Sequence, residues 1–110
     1  MRLAFLGTPD AAVPTLRALV EAGHDVRVVV TRPDRKRGRG SSLVPSPVAA
    51  CAHGLGLRVV HRLADLDPDD VDLGIVVAYG AIVPAGLLEC LPMLNVHFSL
   101  LPRWRGAAPV

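Results

Sequence analysis

The chain has 110 residues and a formal net charge of +2; 51% of its residues are hydrophobic and 20% charged. That balance fits one small folded domain and excludes a disordered or low-complexity chain. Cys51 and Cys90 lack metal-type spacing, which argues against a zinc module or a disulfide scaffold; both are expected as reduced thiols packed in apolar surroundings.

Residues 2–7 form a short apolar run ending in glycine, the pattern of a buried first strand. Thr8-Pro9-Asp10 is turn and helix-start chemistry, and Val13, Leu16, Leu19 and Val20 then recur at helical spacing. Pro14 is tolerable there only in the first turn, and Gly23 is placed to end the helix. Residues 26–31 are almost all β-branched and predict a second buried strand. Residues 32–47, with three prolines, two glycines and three serines, predict a long loop, a feature usually tied to function in a compact domain. A short alanine-rich helix is expected over 48–55 and a third strand over 57–61. An acidic connection with some helical character spans 63–72. A fourth strand over 73–78 ends at Tyr79-Gly80, a helix over 84–90 has Pro84 at its first position, and a fifth strand spans 93–98. Strands alternating with helices imply βαβ units: an α/β fold with a Rossmann-like parallel sheet flanked by helices.

Charge is distributed unevenly. Residues 32–39 carry Arg32, Arg35, Lys36, Arg37 and Arg39 against Asp34, a local +4 that leaves −2 for the remainder. Five aspartates fall within 65–72, but without the glycine and terminal glutamate of a calcium loop they predict a solvated connection. His24, His53 and His61 show no ligand spacing and are expected at the surface or at strand ends. No metal site is expected. The N-terminal apolar run is too short for a signal peptide and no run approaches the length of a membrane span, so a cytoplasmic chain with no membrane contact is expected.

Nucleotide motifs are weak. Gly7-Thr-Pro-Asp lacks the spaced glycines of a dinucleotide fingerprint, and Gly38-Arg-Gly-Ser-Ser lacks the lysine of a P-loop. Ligands of parallel α/β sheets bind at the carboxyl ends of the strands, where Thr8-Pro9-Asp10, Tyr79-Gly80-Ala81 and the pair Asn95 and His97 should meet. Asn95 and His97 are two residues apart on a strand and therefore share a face, presenting an amide donor beside an imidazole. Such a pair suits an oxyanion forming on a carbonyl. Leu94, Val96 and Phe98 alternate with it and are expected to face the core.

Asn95-Val-His-Phe-Ser-Leu-Leu-Pro102 resembles the active-site signature of the formyltransferases that use 10-formyltetrahydrofolate. The continuation Arg-Trp-Arg-Gly-Ala-Ala-Pro-Val110 is most similar to the methionyl-tRNA formyltransferase branch of that family. So are Gly7-Thr-Pro-Asp10, Arg32 to Gly40 running on to Pro45-Ser-Pro47, and Val76-Val-Ala-Tyr-Gly80. The resemblance implies transfer of a formyl group from 10-formyltetrahydrofolate to the α-amine of methionyl initiator tRNA, with Asn95 and His97 catalytic. It also implies a folate pocket lined by Tyr79, Gly80, Ala81, Ile82 and Val83, with the turn Ser99, Leu100, Leu101 and Pro102 beside the formyl group. Arg35, Lys36, Arg37 and Arg39 match the insertion that contacts the acceptor stem of the tRNA. Phe98 is bulkier than the residue often found there among relatives, and Trp104 is equally suited to stacking on a base or capping the core.

In that family an aspartate further along supports the histidine, and a C-terminal β-barrel binds tRNA. The chain is accordingly expected to be the N-terminal part of a formyltransferase catalytic domain over 1–110. It is expected to be inactive alone, with marginal stability or self-association as an isolated half-sheet and a monomeric full-length protein. Two other readings stand beside this one: a formyltransferase acting on a nucleotide-sugar or small amine, and a non-catalytic RNA- or folate-binding fragment.

Overall fold

A computed structural model describes residues 1–36 and 43–97; for Arg35 and Lys36 only the backbone is described. Strand β1 (Arg2–Gly7) leads through a 3-10 turn to helix α1 (Val13–Glu21) and strand β2 (Asp25–Val30). The short strands β3 (Arg35–Lys36) and β4 (Leu43–Val44) precede helix α2 (Pro47–Gly54) and strand β5 (Val59–Val60). Two 3-10 turns, Leu63–Asp65 and Pro68–Asp70, lead to β6 (Leu73–Val77), α3 (Ala85–Cys90) and β7 (Met93–Val96).

Five strands form one parallel sheet in the order β5-β2-β1-β6-β7. The order proceeds outward from β1 in one direction and then reverses to the other side. Because parallel crossovers are right-handed, the reversal sends the early connections to one face and the later ones to the other. Leu16, Val48, Cys51 and Ala52, from α1 and α2, therefore pack with Leu3, Phe5, Val29 and Val77 on one face. Leu66, Val71, Tyr79 and Leu91 pack with Ala4, Leu6, Val28 and Val30 on the other. Burial on both faces explains why β1 is apolar throughout rather than alternating. In β2 the register slips so that Leu3 pairs Val26 and Ala4 pairs Val28. Arg27 is the extra residue, and the slip lets Val26 and Val28 serve opposite faces.

Helix α1 ends in a Schellman motif: Gly23 N–H donates to the Val20 carbonyl at 3.0 Å and His24 N–H to that of Leu19 at 3.2 Å, with Gly23 at φ 88°. At the start of α2, the buried Ser46 Oγ accepts the Ala49 N–H at 3.0 Å and bonds Thr31 Oγ1 at 2.6 Å. Ser before Pro at N1 is a helix-start signature, and here it also gives the fully buried Thr31 hydroxyl its partner.

Several expectations are corrected. Residues 32–47 are not a plain loop: Arg35 pairs Val44 and Lys36 pairs Leu43 in an antiparallel two-stranded ribbon. Pro84 is the N-cap of α3 rather than its first helical residue. Val96 packs against the core but Leu94 is 56% exposed, because α1 and α2 lie over the far side of the sheet and no described residue covers this part of the edge strand. Phe98 lies outside the described residues. Cys51 and Cys90 are both free thiols, but only Cys51 is buried; Leu87 and Leu91 take the packed side of α3 and leave Cys90 exposed. The acidic connection is partly paired, through Arg27 to Asp70 at 3.6 Å and Arg62 to Asp65 at 3.3 Å. Among the described residues no helix is long and apolar enough to cross a membrane.

Two predictions follow the packing. A Cβ on Gly7 would sit 2.8 Å from the Val77 carbonyl oxygen, a backbone atom that cannot swing aside. Gly7→Ala is expected to destabilise the protein by about 1–3 kcal/mol, read as a lower urea midpoint. Arg2 grips Asp72 through Nη2–H and its backbone N–H, each at 3.0 Å, holding that carboxyl down at about 2 against an ordinary 3.8. The carboxylate therefore stabilises the fold fully above pH 3.8, and the contribution disappears as pH falls through 2. Asp72→Asn should be less stable than the parent at pH 6, and the gap should close in acid titrations approaching pH 2.

Candidate active site

The sheet order reverses between β1 and β6, and the carboxyl ends of these strands open a crevice where ligands of such sheets bind. β1 delivers Thr8 there, β2 delivers Arg32, β6 delivers Ala78, Tyr79 and Gly80, and β7 delivers Asn95 and His97.

Asn95 pairs with Val76 in register, near the end of β7, and His97 follows the last strand residue. Both are exposed and both line a recess of about 380 Å³ with Val76, Ala78, Tyr79, Gly80, Ala81 and Val96. A second recess of about 510 Å³ shares Ala78, Tyr79 and Gly80, and adds Thr8, Pro9, Arg32, Pro33 and Asp34. The two recesses lie side by side along the edge of the sheet, with Ala78, Tyr79 and Gly80 common to both.

The wall between them is backbone under constraint. Ala78 has φ 51° and Gly80 φ 88°, so the chain leaves β6 through two left-handed residues. Gly80 adopts that conformation freely, whereas alanine there is strained and persists only when its surroundings enforce it. Thr8 Oγ1–H donates to the Tyr79 carbonyl at 2.7 Å, and Arg32 Nη1–H donates to the Gly80 carbonyl at 2.6 Å. Thr8 also accepts the Arg32 backbone N–H at 3.4 Å and, through its own carbonyl, the Val48 N–H at 3.2 Å. One residue thus joins the ends of β1, β2 and β6 to the start of α2.

The side chains of 79–83 divide. Tyr79 is 5% exposed and packs among Leu6, Leu66 and Leu91, so it lines the recess from within the core. Burial pushes its phenol up from the ordinary range, with Arg32 opposing, which keeps it neutral. Ala81 is exposed at the recess, Ile82 is 90% exposed, and Val83 packs against the core. The described recess therefore brings Tyr79, Gly80 and Ala81 together with Asn95 and His97, without Ile82 or Val83. Ser99, Leu100, Leu101, Pro102 and Trp104, and the basic residues Arg37 and Arg39, lie outside the described residues. Arg35 and Lys36 are placed by backbone alone in the β3–β4 ribbon. Three contributors escaped the sequence reading: the Thr8 hydroxyl as a brace, Arg32 as anything beyond one charge in a cluster, and Ala78 as a left-handed residue. For Arg32 the proline after it was a usable signal of restricted backbone; for Ala78 there was none.

Fold and site together define an α/β domain with a recess beside the switch point of its sheet, bordered by an amide and an imidazole. Comparison with known proteins makes this specific. The family model for formyl transferase matches residues 1–110, and the chain belongs to that family. It is 54% identical to the methionyl-tRNA formyltransferase of Heliobacterium modesticaldum and 53% identical to that of Novosphingobium aromaticivorans. Each match covers 100% of this chain but only 38% and 40%, respectively, of the relative. Glycinamide ribonucleotide transformylase 1 from Geobacillus kaustophilus shares the fold, with a TM-score of 0.64 at 18% identity over 96% of this chain and 62% of that one.

Thr8→Val keeps the shape of the side chain and strips the Tyr79 carbonyl of its donor. A loss of about 1–3 kcal/mol is expected, seen in chemical unfolding as a shifted midpoint with unchanged slope.

Proposed function

We propose that the protein carrying this chain transfers a formyl group from a folate donor, 10-formyltetrahydrofolate, to the α-amine of methionine on initiator tRNA. The observation that carries the reading is the placement of Asn95 and His97 in one recess with the Tyr79-Gly80-Ala81 backbone, in a chain of the formyl transferase family. The names of the relatives from Heliobacterium and Novosphingobium support methionyl-tRNA as the acceptor.

In this reading the pterin ring lies against Gly80 and Ala81, where the absence of bulky side chains leaves room for a flat group. The neutral amine attacks the formyl carbon, and the C–O π electrons move onto oxygen. The Asn95 side-chain N–H and a His97 ring N–H donate to that oxyanion. As the tetrahedral centre collapses, the bond from the formyl carbon to folate N10 breaks, N10 takes a proton and the amine loses one. Donors fixed before the reaction lower the barrier because nothing must reorganise as charge appears.

An extended anionic acceptor is favoured over a small amine by the charge that follows the adjoining recess in sequence. After Arg32 the chain carries Arg35, Lys36, Arg37 and Arg39 against Asp34. Clustered cations of this kind neutralise phosphates and release counterions. With initiator tRNA as acceptor, the protein works in the cytoplasm.

The test is formyl transfer by the full-length protein, supplied with 10-formyltetrahydrofolate and either methionyl initiator tRNA or small amines. Formylation of the tRNA alone is expected; equal or better transfer to a nucleotide-sugar or free amine would reject this acceptor. Asn95→Ala and His97→Ala should each lower kcat by roughly 10²–10³, with far smaller changes in tRNA binding.

A further inference from the structure

Arg32 belongs by sequence to the basic segment, where its obvious use is to meet phosphate. Its geometry points elsewhere. We propose that Arg32 is a positioning residue for the donor pocket, fixing the 79–81 loop through the Gly80 carbonyl; the assignment of a ligand to that loop rests on the function proposed above.

Three observations lead there. The Nη1–H to Gly80 carbonyl bond, at 2.6 Å, spans 48 positions of sequence and joins the exit of β2 to the exit of β6. The loop it reaches is one that does not hold itself, because Ala78 and Gly80 both sit in left-handed backbone, at φ 51° and 88°. The carbonyls of Tyr79 and Gly80 are each taken by a side chain from another strand end, Thr8 at 2.7 Å and Arg32 at 2.6 Å. Finally, Arg32 is itself braced, by its N–H to Thr8 Oγ1 at 3.4 Å and by Pro33, which confines the preceding residue to extended backbone. A guanidinium braced at its own backbone and bonded to a carbonyl acts as a strut between two loops. Gly80 and Ala81 form the part of the recess that lies beside Asn95 and His97. Displacing that backbone would misplace whatever rests on it relative to the catalytic pair.

A hydrogen-bonding role and a phosphate-binding role make different demands on the side chain. The strut needs a donor that reaches the Gly80 carbonyl; a phosphate contact needs the charge turned to the tRNA. Arg32→Lys keeps a charged donor of nearly the same reach, and Arg32→Met removes donor and charge while keeping an unbranched stem.

The experiment uses the full-length protein. Hydrogen exchange at residues 78–83, without ligands, should quicken in Arg32→Met and stay near the parent rate in Arg32→Lys. In formyl transfer, Arg32→Met should raise KM for 10-formyltetrahydrofolate roughly tenfold, as expected for loss of a charge-assisted bond, and Arg32→Lys should stay within about twofold. KM for initiator tRNA and the dependence of its binding on salt should not move in either variant. Unchanged exchange in Arg32→Met would overturn the inference. So would loss of tRNA affinity in Arg32→Met with a salt slope reduced by about 1, the mark of a direct phosphate contact. Faster exchange with an unchanged donor KM would leave Arg32 as the strut and reject instead the placement of the donor on this loop.

Discussion

The Gly7-Thr8 step is the constraint on which the rest of the structure depends. At Gly7 the first strand comes so close to its neighbour that a methyl group would meet the Val77 carbonyl at 2.8 Å. The absence of a side chain there is therefore a condition of the β1–β6 pairing at the switch point. The next residue converts that closeness into a junction. The Thr8 hydroxyl donates to Tyr79 and accepts from Arg32, while its carbonyl takes the first free N–H of α2. A parallel sheet has no hairpins to tie its strand ends together. Cross-links made by side chains of the loops do that work, and they are concentrated where the ligand would lie.

The same sheet explains why Asn95 and His97, the pair proposed to be catalytic, can be both precise and exposed. Asn95 is held by its ladder partner Val76, in the interior of a strand pair, yet β7 lies at one edge of the sheet, and among the described residues no strand pairs with its outer side. Backbone position is set by hydrogen bonding to β6, and side-chain access is set by lying at the edge. Leu94 shows the cost of that arrangement: an apolar residue on the face opposite the pair, left 56% exposed. The basic segment begins at the same edge of the sheet: Arg32 bonds the Gly80 carbonyl, and the backbone then enters the β3–β4 ribbon.

Much of the fold was legible from periodicity. Apolar runs marked the five sheet strands to within a few residues, most plainly the central β1 and β6, because strands buried on both faces leave few alternatives to continuous β-branched and aliphatic composition. Gly23 was legible as a helix end, since few residues other than glycine accept φ 88°. The ribbon inside 32–47 was not, because two-residue strands carry too little pattern and its pairing joins positions seven and nine residues apart. The site was legible as motifs, through the Asn95/His97 spacing and the resemblance to formyltransferases. Its division between exposed Ile82 and inward Val83 was not, because adjacent aliphatic residues look alike until the backbone turns them.

The sequence by itself determined the class: a parallel α/β sheet, its alternation of strands and helices, and a polar pair at a strand end with the chemistry to hold an oxyanion. These are properties of local pattern, in which burial and backbone geometry act on residues within a few positions of one another. Only the tertiary structure decided which strand ends meet. It set β1 between β2 and β6, joined Thr8 to Tyr79 across 71 positions and Arg32 to Gly80 across 48, and made Arg32 a brace rather than one more cation. A hydrogen bond depends on distance in space, and the strand order that creates that distance is settled by packing on both faces of the sheet at once.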